Sequence, residues 1–186
     1  MSSREEYVPG AAFGAEVRKQ GETWTLVLVR DLRHAPAKVW SALTDPAQLR
    51  AWAPFDADRS LGKAGPVKLT TVGAPTPVVS EDAVQRAEAP HLLEFTWGGR
   101  PMRWELEPMG TGTRLTLWHD IDRNWISMGA SGWHVCFDVL EHLLTGDPLG
   151  RTVGPDAMKV SGWQRLNAEY VALLGVPAPS WGPSPR

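Results

Sequence analysis

Short runs of alternating apolar and polar residues, punctuated by glycine and proline, recur through the first two thirds of the chain. Trp24 to Leu32 (WTLVLVRDL) is apolar and β-branched, which predicts a strand. HAPAKVWSAL follows, with Pro36 suited to a first helical turn and Val39, Trp40 and Leu43 on one face. Asp45-Pro46-Ala47-Gln48 has the form of an N-cap, a proline at N1 and a glutamine at N3. It opens a second short helix ending near Trp52, and the two helices are expected to form a V. Strands are predicted over 66–72, 78–88, 92–97, 102–107 and 113–121. Gly98-Gly99 and Gly110-Thr111-Gly112 have hairpin chemistry, because tight turns need positive φ. Connections this short make the neighbours antiparallel.

Alternation assigns faces. Leu93, Phe95 and Trp97 share one side of their strand, as do Met102, Trp104 and Leu106, and then Leu115, Leu117, His119 and Ile121. The period changes at residues 131–145 (SGWHVCFDVLEHLLT), where Trp133, Cys136, Phe137, Leu140, Leu143 and Leu144 form a helical stripe. His134, Asp138, Glu141 and His142 fall opposite and read as a solvated face. Ser131 is placed to cap this helix; Gly146 and Pro148 stop it. Residues 147–160 read as loop. A second amphipathic segment carries Trp163, Leu166, Tyr170, Leu173 and Leu174 on one face, ending at Gly175 and Pro177.

These elements predict an α+β domain: a curved antiparallel sheet of six to seven strands, two short helices after strand one, and a C-terminal amphipathic helix packed on the sheet. The expected layout is an N-terminal arm over 1–22, one domain over 23–175, and a Pro-rich tail over 176–186. A strongly twisted sheet curls away from a straight helix, so space is expected between them. The alternative is a solid core.

Composition narrows the function classes. With 19 basic and 21 acidic residues among 186, the net charge of −2 gives no electrostatic reason to expect nucleic acid or an anionic membrane as partner. No apolar run approaches the roughly 18 residues needed to span a bilayer. The opening MSSREEYVPG has no apolar signal core. A single cysteine, Cys136, excludes an internal disulfide and a multi-cysteine zinc site, which fits a reducing cytoplasm. Ten tryptophans against two tyrosines point to an aromatic interior.

The segment RDLRHAPAKVWSALTDPAQLRAW carries Arg30, Ala35-Pro36, Val39-Trp40, Leu43-Thr44-Asp45-Pro46 and Trp52. With Thr116, His119 and Gly132-Trp133 further on, it resembles the START-like SRPBCC superfamily, in the branch named after the activator of the heat-shock-protein-90 ATPase. The resemblance covers roughly residues 23 to 175. It departs from the family where Gly146 to Gly162 interrupts a final helix that is often unbroken. It implies a helix-grip fold with a cavity for a hydrophobic small molecule. Relatives include polyketide aromatase/cyclase enzymes, lipid or hormone carriers and chaperone cofactors, and the fold alone does not choose among them.

Trp97, Trp104, Trp133 and Phe137 are the candidate contact surface for an apolar, possibly aromatic ligand; the competing reading is that they fill the core. His119, on the apolar alternation of its strand, is a candidate polar anchor, and Arg30 a second one unless it closes an ion pair. His119 with Asp120 and Asp122 does not converge as a metal site, because strand parity separates them. His134, Asp138 and His142 stand at i, i+4 and i+8, but beside Glu141 on the polar stripe. Gly129-Ala130-Ser131-Gly132-Trp133 lacks the closing glycine of a nucleophile elbow. Gly110-Thr111-Gly112 precedes a strand and is not a dinucleotide fingerprint. Cys136 lies in the apolar stripe and reads as an inert thiol. No cofactor or metal is implied, and no residue pattern marks an enzyme. The leading expectation is non-catalytic binding of a hydrophobic small molecule. The alternatives are a protein-interaction module acting on a partner ATPase and a cyclase-like enzyme.

Overall fold

The computed structural model describes residues 3–179. Two strands, β1 (Ala15–Gln20) and β2 (Thr23–Leu32), lead into helices α1 (Pro36–Thr44) and α2 (Pro46–Trp52). Six more strands follow: β3 (Phe55–Ala57), β4 (Gly65–Thr71), β5 (Val78–Glu88), β6 (Leu92–Trp97), β7 (Arg100–Met109) and β8 (Gly112–Asp120). A 3₁₀ turn at Arg123–Trp125 runs into the long helix α3 (Ile126–Thr145), then α4 (Pro155–Met158) and α5 (Trp163–Leu174). All eight strands form one antiparallel sheet in the order β1-β2-β8-β7-β6-β5-β4-β3.

This is the α+β architecture the pattern predicts, with eight strands in place of six to seven. The extra pair are the two edges. β1 (AEVRKQ) is largely exposed and mostly polar, so it shows little apolar alternation. β3 (FDA) is three residues long, too short to show a period. The segment expected as a polar arm therefore contributes an edge strand. Of the Pro-rich tail, residues 180–186 lie outside the described residues.

The parity argument holds across the sheet centre. Leu28, Leu117, Trp104 and Leu93 lie in one cross-strand row, and Leu26, His119, Met102 and Phe95 in the next. All eight are buried. The Gly98-Gly99 turn has φ of 58° and 77°, a conformation only glycine adopts cheaply at both positions. Asp82 anchors this turn, accepting from the backbone N–H of Gly98 and Gly99 and from the Thr96 and Ser80 hydroxyls. Burial pushes its carboxyl up, but these four bonds outweigh that and hold it below the ordinary carboxylate range.

Asp45 caps α2, its side chain accepting from Ala47 N–H at 3.2 Å. Trp52 is fully buried and donates to the Ala42 carbonyl at 2.9 Å, which fixes the V of α1 and α2. α3 starts five residues earlier than expected. Ser131 is an interior helical residue whose hydroxyl donates to the Ser127 carbonyl at 2.8 Å. Gly146 ends the helix in the left-handed region, as its position predicts. The loop expected over 147–160 contains the single turn α4. α3 lies between the sheet on one side and α5 on the other. Among the described residues no helix is long and apolar enough to cross a membrane.

Candidate functional site

The sheet and α3 meet mainly through rings. Trp104 packs edge-on against Trp133 at 5.4 Å between centroids, against Phe137 at 6.0 Å and against Trp52 at 6.2 Å. Edge-to-face packing of this kind adds to the gain from area burial. Trp104, Trp133 and Phe137 are each at most 3% exposed, so much of the space expected between sheet and helix is filled by the protein's own side chains. The Trp104 indole N–H has no acceptor among the described residues.

A cavity of about 160 Å³ remains at one end of this cluster, and it is predominantly apolar. Its floor is Trp97 at the end of β6 and His119 near the end of β8. Trp133 and Cys136 on α3 form one wall, with Gly129 and Gly132 toward the mouth. Ile121, just past β8, Pro54, after α2, and Val153-Gly154, in the loop after α3, complete it. Thus Trp97, Trp133 and His119 line the cavity, while Trp104 and Phe137 pack behind it and Arg30 lies elsewhere.

The two helical glycines have different roles. A Cβ on Gly129 would stand 2.8 Å from the tip of the Ile121 side chain, so α3 packs closely on the end of β8 there and a larger residue would push that side-chain end aside. A Cβ on Gly132 would meet nothing within 4 Å. Glycine inside a helix costs about 0.5–1 kcal/mol relative to alanine, and at Gly132 no close packing repays it. The loop is held over the cavity at two points. Gly154 (φ 57°) comes so close to the Gly73 carbonyl that a Cβ would lie 2.6 Å from its oxygen. Arg151 donates to the Leu49 carbonyl at 3.0 Å and to Asp56 at 2.6 Å.

Within the cavity wall the polar atoms are few and mostly paired. Trp97 donates to the Thr71 hydroxyl at 2.8 Å, and Trp133 donates to His119 Nδ1 at 3.1 Å. The His119 ring stacks on Trp97 at 5.6 Å with 27° between planes. Burial, with a smaller push from the Arg100 charge, lowers its pKa from 6.5 to about 4, so the imidazole is neutral at pH 7. Burial raises the Cys136 thiol to about 12, which leaves it protonated.

A second buried polar cluster lies on the far side of α3. Arg30 donates to Asp138 at 2.6 Å, and the Tyr7 hydroxyl donates to the other carboxylate oxygen. His134 Nε2 stands 3.5 Å from that same oxygen, and its Nδ1 lies 2.7 Å from the Tyr170 hydroxyl. The Arg30 guanidinium sits over the Phe13 ring at 4.9 Å. This corrects the reading of His134 and Asp138 as a solvated face. His134 is 2% exposed, because the N-terminal segment and α5 cover that side. Among the described residues no group of three or more His, Cys, Asp or Glu is arranged to hold a metal.

Residue type gives Pro54 and Val153 no mark as lining residues. For Gly129 and Gly132, which the sequence offers as a failed nucleophile elbow and a family mark, the signal of a cavity is the pair of glycines in GASGW inside an otherwise good helix. A wider surface depression, about 620 Å³, lies around Arg103, Trp118 and Asp120 on the other face of the sheet. It is open to solvent, and Arg103 there pairs with Glu94 and Glu105.

The family described as "Activator of Hsp90 ATPase homolog 1-like protein" matches residues 33–145. Among solved structures, the chain is similar to the solution structure of CalU16 from Micromonospora echinospora, with a TM-score of 0.62 and 20% identity over 89% of this chain and 95% of that one. It is also similar to EF2215 from Enterococcus faecalis, titled a conserved protein of unknown function (TM-score 0.62, 16% identity, 86% and 89% covered). Protein MLL2253 from Mesorhizobium loti is 26% identical, with a TM-score of 0.56 over 65% of this chain and 96% of that one. No curated protein is a significant match.

Proposed function

Because the chain belongs to the activator of Hsp90 ATPase homolog 1-like family, whose fold is consistent with ligand-binding or cyclase-like roles, we propose that it binds a compact hydrophobic molecule, without chemistry, in the cavity between sheet and α3. The observation that carries this reading is Gly132, a helical glycine with open space where its side chain would be, at the mouth of an apolar cavity walled by Trp97 and Trp133. The volume decides the size class. An enclosed dry apolar cavity of about 150 Å³ holds a benzene-sized molecule, so this partly open one matches a single ring better than a polycycle. Trp97, Trp133 and His119 supply the contact; Trp104 and Phe137 hold those rings in place from behind.

Catalysis has less support. The titratable side chains lining the cavity are His119, neutral down to about pH 4, and Cys136, protonated up to about pH 12. General acid–base work needs a group poised near the operating pH. A reducing compartment such as the cytoplasm fits the buried free thiol.

Calorimetric and tryptophan-fluorescence titrations with single-ring and three-ring aromatics test the proposal. Toluene and its relatives are expected to bind and to change the emission, while anthracene-sized compounds do not. Absence of binding by every single-ring compound, with no small molecule retained in native mass spectrometry, would overturn it.

A further inference from the structure

The occupant's chemistry can be taken one step further, on the premise that the cavity binds ligand as proposed. We infer that this ligand is a neutral planar molecule bearing one hydrogen-bond acceptor of carbonyl type, held by the His119 Nε2–H while its ring lies against Trp97 and Trp133.

The argument is an accounting of donors and acceptors. An indole nitrogen only donates, so the Trp133 bond at 3.1 Å makes His119 Nδ1 the acceptor. A neutral imidazole with a bare Nδ1 carries its proton on Nε2. Among the described residues no acceptor takes that proton. Yet the ring is only 6% exposed and lines the cavity. The other strong donors of the wall are already used, Trp97 by the Thr71 hydroxyl and Trp133 by His119 itself. The wall therefore presents one free donor, no lining carboxylate and no lining ammonium or guanidinium.

This pattern selects charge as well as shape. A carboxylate would have to shed its hydration for a single hydrogen bond in an apolar wall, which costs more than the bond returns. A neutral carbonyl loses far less and satisfies the donor. The stacked Trp97–His119 pair, with Trp133 edge-on to both, offers flat surface to a ring attached to that carbonyl.

Acetophenone and α-methylstyrene are near-isosteres that differ by C=O against C=CH₂. They also differ in hydration, so the informative quantity is their affinity ratio and its change between proteins. In His119→Phe the ratio is expected to move against acetophenone by about fivefold, the value of one ordinary hydrogen bond. In the unmutated protein, the His119 Nε2–H resonance is expected to shift on adding acetophenone and to stay with α-methylstyrene, a readout that does not depend on the variant folding. An unchanged ratio, or a resonance indifferent to acetophenone, overturns this inference and leaves the cavity proposal standing. If neither compound binds the unmutated protein, both fall.

Discussion

On the side of α3 turned toward the N-terminal segment, Asp138 gathers Arg30, Tyr7 and His134 around one carboxylate. On the side turned toward β8, His119 meets one partner, Trp133, and its second ring nitrogen meets none among the described residues. Both regions bury ionisable side chains, and burial lowers the pKa of both histidines. They differ in how their polar groups are spent. The Asp138 cluster borders a surface depression at Tyr7 and Glu141, but its polar groups are paired with one another, so it serves as a clamp joining β2, α3, α5 and the N-terminal segment. The His119 region borders an apolar cavity that also touches Gly132, where a Cβ would meet nothing within 4 Å, so it has room for something else. Burial of polar groups therefore does not mark a site in this molecule; an unspent donor beside empty volume does.

The sharpest way to break this contrast is to remove the clamp. Asp138→Asn leaves the Arg30 guanidinium buried without a counter-charge and is expected to cost about 3–5 kcal/mol in urea unfolding. Single-ring binding by the folded fraction should be unchanged. Trp104→Ala, on the other side of the helix, is expected to cost a similar amount, about 3–5 kcal/mol, because the ring is packed on all sides. A small stability loss for Trp104→Ala, together with loss of binding, would place the ligand deeper than the account does.

Next in size is the pH dependence. The folded His119 has a pKa of about 4 against an ordinary 6.5, so between these values the unfolded chain binds more protons. Stability from this group is complete above about pH 6.5 and falls as pH drops toward 4. The full loss is about 3 kcal/mol, at about 1.4 kcal/mol per tenfold change in proton affinity. His134 acts in the same direction. Comparing unfolding of the wild type and His119→Phe at pH 7 and pH 4.5 isolates the His119 share.

Much of the fold is legible in the sequence because it rests on local rules. Asp45-Pro46, Gly98-Gly99 and Gly146 each do what their residue types favour, and alternation places Leu93, Trp104, Leu117 and His119 on the covered face. The start of α3 was obscured because Trp125, its N-cap, makes no side-chain cap bond, whereas Ser131 is a strong capping type. The Asp138 clamp was hidden for a different reason. Helical periodicity reports which residues share a face, not what a distant segment lays over it, and Tyr7 lies 131 positions from Asp138. The cavity was legible only in part. Strand parity for Trp97 and His119 and the helical stripe for Trp133 point them toward one space, but the filling by Trp104 and Phe137 depends on packing that no spacing encodes.

The smallest change in stability bears most directly on the central claim. Gly132→Leu places a side chain into the open space at the cavity mouth and replaces glycine by a strong helix former, so stability should hold or rise by up to about 1 kcal/mol. Titrating wild type and Gly132→Leu with toluene under the same conditions reads whether that space is the site. The account predicts saturable binding to the wild type and at least about tenfold weaker binding to the variant, a loss of about 1.4 kcal/mol. Equal affinity in the two proteins would contradict it.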